Sequence, residues 1–233
     1  MIDSQSSSRG TPDAMKLIYF DIPGKAEAIR LCAAVAGVPL EDVRMTREAF
    51  AEMKASGALP YGQVPALDLG DGKILAQSSA ILRYVATVGG LHPTEALAAA
   101  RIDSIVAEEE DMFAGVSVSR YARRFGFDFE GENQEGFRAA VRKLLNDEVL
   151  PRHLAFLEKL LTASSTGWLA DTPRPSIADF VFVPRLQWLA SGANDGISRD
   201  ILEPYPAVKA MMAKLMALPE VVAWYEKNPP APQ

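Results

Sequence analysis

The run Tyr61-Gly62-Gln63-Val64-Pro65, followed twelve positions after Pro65 by Gln77-Ser78, restricts the fold more than any other part of the chain. Only an X-Pro bond makes the cis form cheap, at about 0.5–1 kcal/mol. Val64-Pro65 closes a loop immediately before an apolar run of strand length, Ala66 to Leu69, and is a candidate for that form. Backbone turned there leaves the N–H and C=O of Val64 free to pair with an extended ligand, as one more strand would. Gln77-Ser78 falls between a second short strand, Ile74 to Ala76, and a helical stretch from Ser79. A hydroxyl and free N–H groups at such a junction can hold a ligand carboxylate. The two segments together describe a site for a small, extended, anionic peptide.

The flanking pattern supplies the scaffold. Lys16 to Phe20 reads as a strand that Pro23-Gly24 ends. In the helix that follows, Ile29, Cys32, Ala33 and Ala36 form one stripe and Gly37 stops it. Asp42 to Met45 predicts a second strand, and a short helix rich in small residues runs through Gly57. Gly70-Asp71-Gly72 turns a hairpin between the Ala66 and Ile74 strands. Ser79 to Val88 closes the unit as a helix with Ile81, Leu82 and Val85 on one face. The order βαβα then ββα predicts a small α/β domain over residues 15–88. Gly89 to Pro93 reads as a linker.

Beyond it the periodicity is helical over Glu95 to Arg123, Gln134 to Leu161, Ser176 to Ala190 and Tyr205 to Lys214. Residues 94–233 are therefore expected to form an all-α bundle. Ser176 and Asp179 have the spacing of a capping box at a helix start. Residues 1–14 are polar, lack the apolar core of a secretory signal, and read as a disordered extension.

Composition removes several functions. A net charge of −6 argues against a nucleic-acid partner. No apolar run approaches the roughly 20 residues of a membrane span. One cysteine, Cys32, precludes an internal disulfide framework and fits a reducing, cytoplasmic setting. With two unclustered histidines, no metal site is expected.

The Tyr61–Pro65 loop, the Gln77-Ser78-Ser79-Ala80 segment and the opening Lys16-Leu17-Ile18-Tyr19-Phe20-Asp21-Ile22-Pro23-Gly24-Lys25-Ala26-Glu27 resemble the cytosolic glutathione transferases. The likeness is greatest to the sigma class, which includes glutathione-dependent prostaglandin D synthases, and runs from about Met15 to Pro229. It implies a thioredoxin-like first domain, a helical second domain carrying part of a dimer interface, and glutathione as co-substrate.

Tyr19 is the catalytic residue that the resemblance implies. Thiols titrate near pH ~8.5, so free glutathione is mostly unreactive at neutral pH. A phenol donating to the sulfur favours the thiolate, the nucleophilic form. By the same resemblance Gln77 and Ser78 hold the γ-glutamyl end, and Val64 before Pro65 pairs with the cysteinyl backbone. Gln63 and Lys54 reach the glycyl end, although the chain between Lys54 and Gly62 is about two residues longer than in relatives. Phe50 stands where sigma-class members often have tryptophan, and Lys25 where many have arginine.

Of the acidic run Glu108-Glu109-Glu110-Asp111, the first two read as a solvated helix face. Asp111 corresponds to an acid that crosses the dimer interface to the partner's glutathione. The electrophile pocket is expected from Phe20, Ile22 and Gly24 in the first domain, and Phe113, Ser117 and Tyr121 at four-residue spacing on the long helix. Cys32 reads as core.

These residues imply conjugation of glutathione to apolar electrophiles, with peroxide reduction open to the same thiolate. Isomerisation of a prostaglandin endoperoxide is the narrower enzymatic alternative. A carrier or crystallin-like protein that keeps the fold is the non-catalytic one.

Overall fold

The computed structural model describes residues 15–128 and 131–229. The expected extension at residues 1–14 lies outside them. In chain order, β1 (Met15–Phe20) leads through a 3-10 turn (Gly24–Ala26) to α1 (Glu27–Ala36), and β2 (Leu40–Met45) to α2 (Arg47–Ala55). Then come β3 (Ala66–Asp68), β4 (Ile74–Ala76) and α3 (Ser78–Val88).

The four strands form one mixed sheet in the order β2-β1-β3-β4. β1 pairs parallel to β2, with Ile18 opposite Val43, and antiparallel to β3, with Ile18 opposite Ala66. Its central place explains why β1 is almost wholly buried along its length. Thr46 caps α2 by accepting the Ala49 N–H at 3.2 Å. Gly37, at φ 65, ends α1 in the left-handed conformation that glycine adopts without penalty.

The remainder is helical: α4 (Ala96–Arg120), a 3-10 turn (Ala122–Phe125), α5 (Glu132–Leu144), a π turn (Leu145–Val149) and α6 (Leu150–Ala163). After these come α7 (Ile177–Ala190), α8 (Pro206–Met216) and α9 (Pro219–Lys227). The single helix expected over Gln134 to Leu161 is α5 and α6 joined through the π turn. The one expected to reach Arg123 stops at Arg120, where Tyr121 leaves helical geometry. α9 is additional to the sequence expectation: Pro219 suits a first helical turn, but the segment carries one fully buried side chain, Val221, too few for a clear stripe.

One hydrophobic core runs through both parts of the chain. α1 packs against α3 on one side and against α7 and α9 on the other. It is therefore buried nearly all round rather than along the predicted stripe. Cys32 is fully buried, and burial pushes its thiol up to about 12, so it is inert core. α7 starts at the expected capping box. Ser176 accepts from Ala178 N at 3.3 Å, and Asp179 accepts from Ser176 N at 2.8 Å and Leu169 N at 2.9 Å.

Candidate active site at the end of the first strand

β1 ends at Tyr19-Phe20, and the chain turns back through Asp21 to Pro23 before helix begins. Tyr19 is 9% exposed, and its hydroxyl accepts the backbone N–H of Lys25 at 3.3 Å. Gly24 makes that approach possible. It sits at φ 46, and a Cβ there would lie 2.5 Å from the Tyr19 oxygen. Burial pushes the phenol above its ordinary value near 10. The Lys25 N–H opposes that push; Tyr121 reinforces it, and Arg30 and Arg185 oppose it. Tyr19 is accordingly a neutral phenol at neutral pH, able to donate its proton.

The loop beneath Tyr19 is held by a residue the sequence reading did not single out. Arg30 is 1% exposed, bonds the carbonyls of Ile22 at 2.8 Å and Phe20 and Pro23 at 3.4 Å, and pairs with Glu27 at 3.1 Å and Asp42 at 3.0 Å. Asp42 also receives Arg44 at 2.9 Å, and Arg44 in turn pairs with Asp21. Tyr225 of α9 is held as a neutral phenol, its titration pushed up by burial and by the nearby Glu27 carboxylate. An isolated buried guanidinium would be costly, but this one has two carboxylates and three carbonyls. Its signal in the sequence was a charge inside an apolar helix stripe.

Val64-Pro65 is cis, as expected, with Pro65 buried and Val64 half-buried. Lys54 reaches from α2 across Gly62, its Cε 3.3 Å from where a Cβ would stand. Gln63 accepts a hydrogen bond from Arg124, in the turn after α4. Phe50 packs edge-on to Phe20 with centroids 5.3 Å apart, and Phe20 likewise to Tyr19 at 5.6 Å.

Gln77 adopts φ 73, unusual for a residue other than glycine, and turns the chain into α3. The helix begins at Ser78, one residue earlier than expected, so Ser78 lies in its first turn with unpaired N–H groups. The hydroxyl of Ser79 donates to Glu110 at 3.0 Å, which ties this helix start to α4.

On α4, Asp111 is exposed. The expectation that Glu108 and Glu109 form a solvated face is overturned. Glu109 is 4% exposed and pairs with Arg185 of α7 at 2.8 Å, and Glu108 bonds His153 of α6 at 2.5 Å. A carboxylate run looks solvated only until helices pack on it, and here α7 and α6 each supply the partner.

Phe113 is buried, with the Arg185 guanidinium 4.1 Å from its ring centre. Arg185 also lies 5.2 Å from the Trp188 ring, and Arg120 lies 5.6 Å from that ring on its own account. Ser117 is half-buried and Tyr121 exposed. Ile22 and Lys25 are exposed at the rim of the Tyr19 turn. Tyr121, past the end of α4, and Arg185 of α7 both act electrostatically on the Tyr19 phenol. Among the described residues no cluster of potential metal ligands occurs.

A mixed four-stranded domain presenting a buried tyrosine, a cis-proline loop and a helix start to one region, followed by a helical domain, defines a thioredoxin-like glutathione-binding architecture. The glutathione S-transferase N-terminal domain family matches residues 15–87, and the corresponding C-terminal domain family matches residues 125–228. The chain is 32% identical to glutathione S-transferase 1 of Ascaris suum over 93% of its length and 98% of that protein. The solved prostaglandin synthase D of Nilaparvata lugens superposes with a TM-score of 0.78 at 29% identity, covering 94% of this chain and all of that one. A glutathione S-transferase of Necator americanus, described as monomeric, superposes with a TM-score of 0.72 at 28% identity, covering 95% and 100%. The chain belongs to the glutathione S-transferase family. It is a transferase with glutathione as co-substrate.

Proposed function

We propose that the protein is a sigma-class-like, cytoplasmic, homodimeric glutathione transferase that uses Tyr19 to activate the thiol and conjugates it to apolar electrophiles. The observation that carries this reading is the Tyr19 hydroxyl, buried, neutral and accepting the Lys25 N–H. Its oxygen accepts a hydrogen bond from that N–H while its own O–H remains free to donate to a sulfur. The helix start at Gly24 adds partial positive charge beside the developing thiolate. Once the thiolate is positioned, it displaces halide ion from an activated aromatic ring, or adds to an activated double bond whose carbanion then takes a proton from water.

In this reading residues 15–88 bind glutathione, 89–93 link, and 94–233 carry the electrophile pocket and part of the interface. Gln77 and Ser78 take the γ-glutamyl end, Val64 beside Pro65 the cysteinyl backbone, and Gln63 with Lys54 the glycyl carboxylate. Lys25 adds charge at the rim. Phe50 contributes packing on Phe20 rather than a donor. Asp111, exposed on α4, reaches the partner's glutathione. The electrophile lies among Phe20, Ile22, Gly24, Ser117 and Tyr121, with Phe113 behind Arg185.

Conjugation of glutathione to 1-chloro-2,4-dinitrobenzene by wild type and Tyr19→Phe tests the reading. Loss of turnover with glutathione binding retained supports it. Equal activity in both proteins removes Tyr19 from the chemistry. Binding without wild-type turnover would shift the assignment to an endoperoxide isomerase or a carrier.

A further inference from the structure

A surface cavity of about 380 Å³ lies among Glu135, Arg138, Arg142, Lys143, Asp147 and Asp195, and it shares no residue with the glutathione site proposed above. Arg142 is its unusual member. The residue is 4% exposed, yet its Nε donates to the Ser119 hydroxyl at 3.0 Å and its Nη1 to the Asp195 carbonyl at 2.7 Å, both neutral acceptors. Among the described residues no carboxylate oxygen comes within 4.0 Å of Arg142 or Arg138. Among the described residues Arg142 Nη2 has no partner, and it is not sealed from solvent.

The charges around this guanidinium do not balance it by contact. Lys143 and Asp147 pair with each other. Glu135 and Asp195 line the cavity without closing on a guanidinium. Burial holds Arg142 below its ordinary value, with Arg138 and Arg120 adding like-charge repulsion and Asp195 partly offsetting it. A buried cation without an ion partner is costly. Its bonds to Ser119 and Asp195 explain a tie between α4 and the loop after α7. They do not explain why Arg138 stands one turn away on the same helix face, without an ion partner among the described residues.

We propose that this cavity binds a small multivalent oxyanion, held between Arg142 Nη2 and the Arg138 guanidinium. The planar fork of Arg138 suits two oxygens of one phosphate or polycarboxylate group, and Arg142 Nη2 adds a further donor, an arrangement that a lysine pair would not reproduce. The anion supplies the missing countercharge.

Isothermal titration of the full-length protein with sodium pyrophosphate, blanked against sodium chloride at matched ionic strength, tests this. Saturable binding is expected for the wild type, weakened at least tenfold in Arg138→Gln and in Arg142→Lys. Arg138 makes no hydrogen bond or ion pair among the described residues, so Arg138→Gln should fold and retain conjugation activity even if the Arg142 variant does not. Tighter binding of ADP than of pyrophosphate would assign the anion to a nucleotide, and weaker binding would assign it to a free oxyanion. Wild-type heats equal to the chloride blank, or equal affinity in wild type and Arg138→Gln, would overturn the proposal.

Discussion

Lys25 donates its backbone N–H to the Tyr19 hydroxyl across 3.3 Å, so the first turn after β1 closes onto the side chain that ends β1. The oxygen that accepts this bond keeps its own proton for donation, and the donor is main chain, indifferent to the lysine side chain. Any residue at position 25 with a backbone N–H can therefore make this contact.

Tyr19→Phe removes the hydroxyl and leaves the ring on Phe20 and under Arg30. Turnover should fall by about 10²-fold, the lower end of the cost of deleting one donor to a developing anion. The rate–pH profile should also move up towards the free-thiol value of ~8.5. Steady-state kinetics between pH 6 and pH 9 checks both.

Gly24→Ala forces a Cβ against the same oxygen and strains φ 46. A loss of about 1–3 kcal/mol in urea unfolding is expected, with turnover reduced as Tyr19 is displaced.

Gln63 is held by Arg124 from beyond α4. Arg124→Ala should raise KM for glutathione roughly 2- to 10-fold, the equivalent of one hydrogen bond of about 0.5–1.5 kcal/mol, with kcat nearly unchanged. Initial rates over a glutathione series separate the two constants.

Glu109→Ala leaves Arg185 facing Phe113 and Trp188 without its carboxylate. Because Arg185 keeps some exposure, the expected loss is about 2–3 kcal/mol, below that of a fully sealed pair. A double-mutant cycle with Arg185→Ala should show coupling above about 1 kcal/mol.

Asp179 gives a pH signature. Burial raises its carboxyl from 3.8 to about 6 against the bonds it accepts from Leu169 and Ser176. Between those values the folded state holds a proton that the unfolded state has released, so stability falls as pH rises from about 4 to 6. The urea midpoint of wild type relative to Asp179→Asn should decline across that window. Ser176→Ala should cost about 1 kcal/mol through loss of the cap.

The strand, turn and cap signals were legible because they are local. Val64-Pro65, Gly37, the Gly70–Gly72 hairpin and the Ser176 box each depend on the backbone chemistry of a few neighbouring residues. Tyr19, Gln63, Val64, Gln77 and Ser78 could be named from short runs for the same reason. Arg30, Arg124 and Arg185 could not be assigned partners, because Asp42, Gln63 and Glu109 lie far from them in the chain, even though the place of Arg30 inside an apolar helix stripe hints at its burial.

The Glu108-Glu109 misreading has the same origin. Sequence alone determined where the chain turns and where most of the helices begin, since those follow from φ preferences and capping, and family resemblance marked Tyr19 as the candidate for thiol chemistry. Tertiary structure decided which charges are buried and paired, how Tyr19 is polarised by Lys25, and that Arg142 finds no counter-ion among the described residues. Those outcomes depend on electrostatics across elements far apart in the chain, and only packing brings such groups within reach.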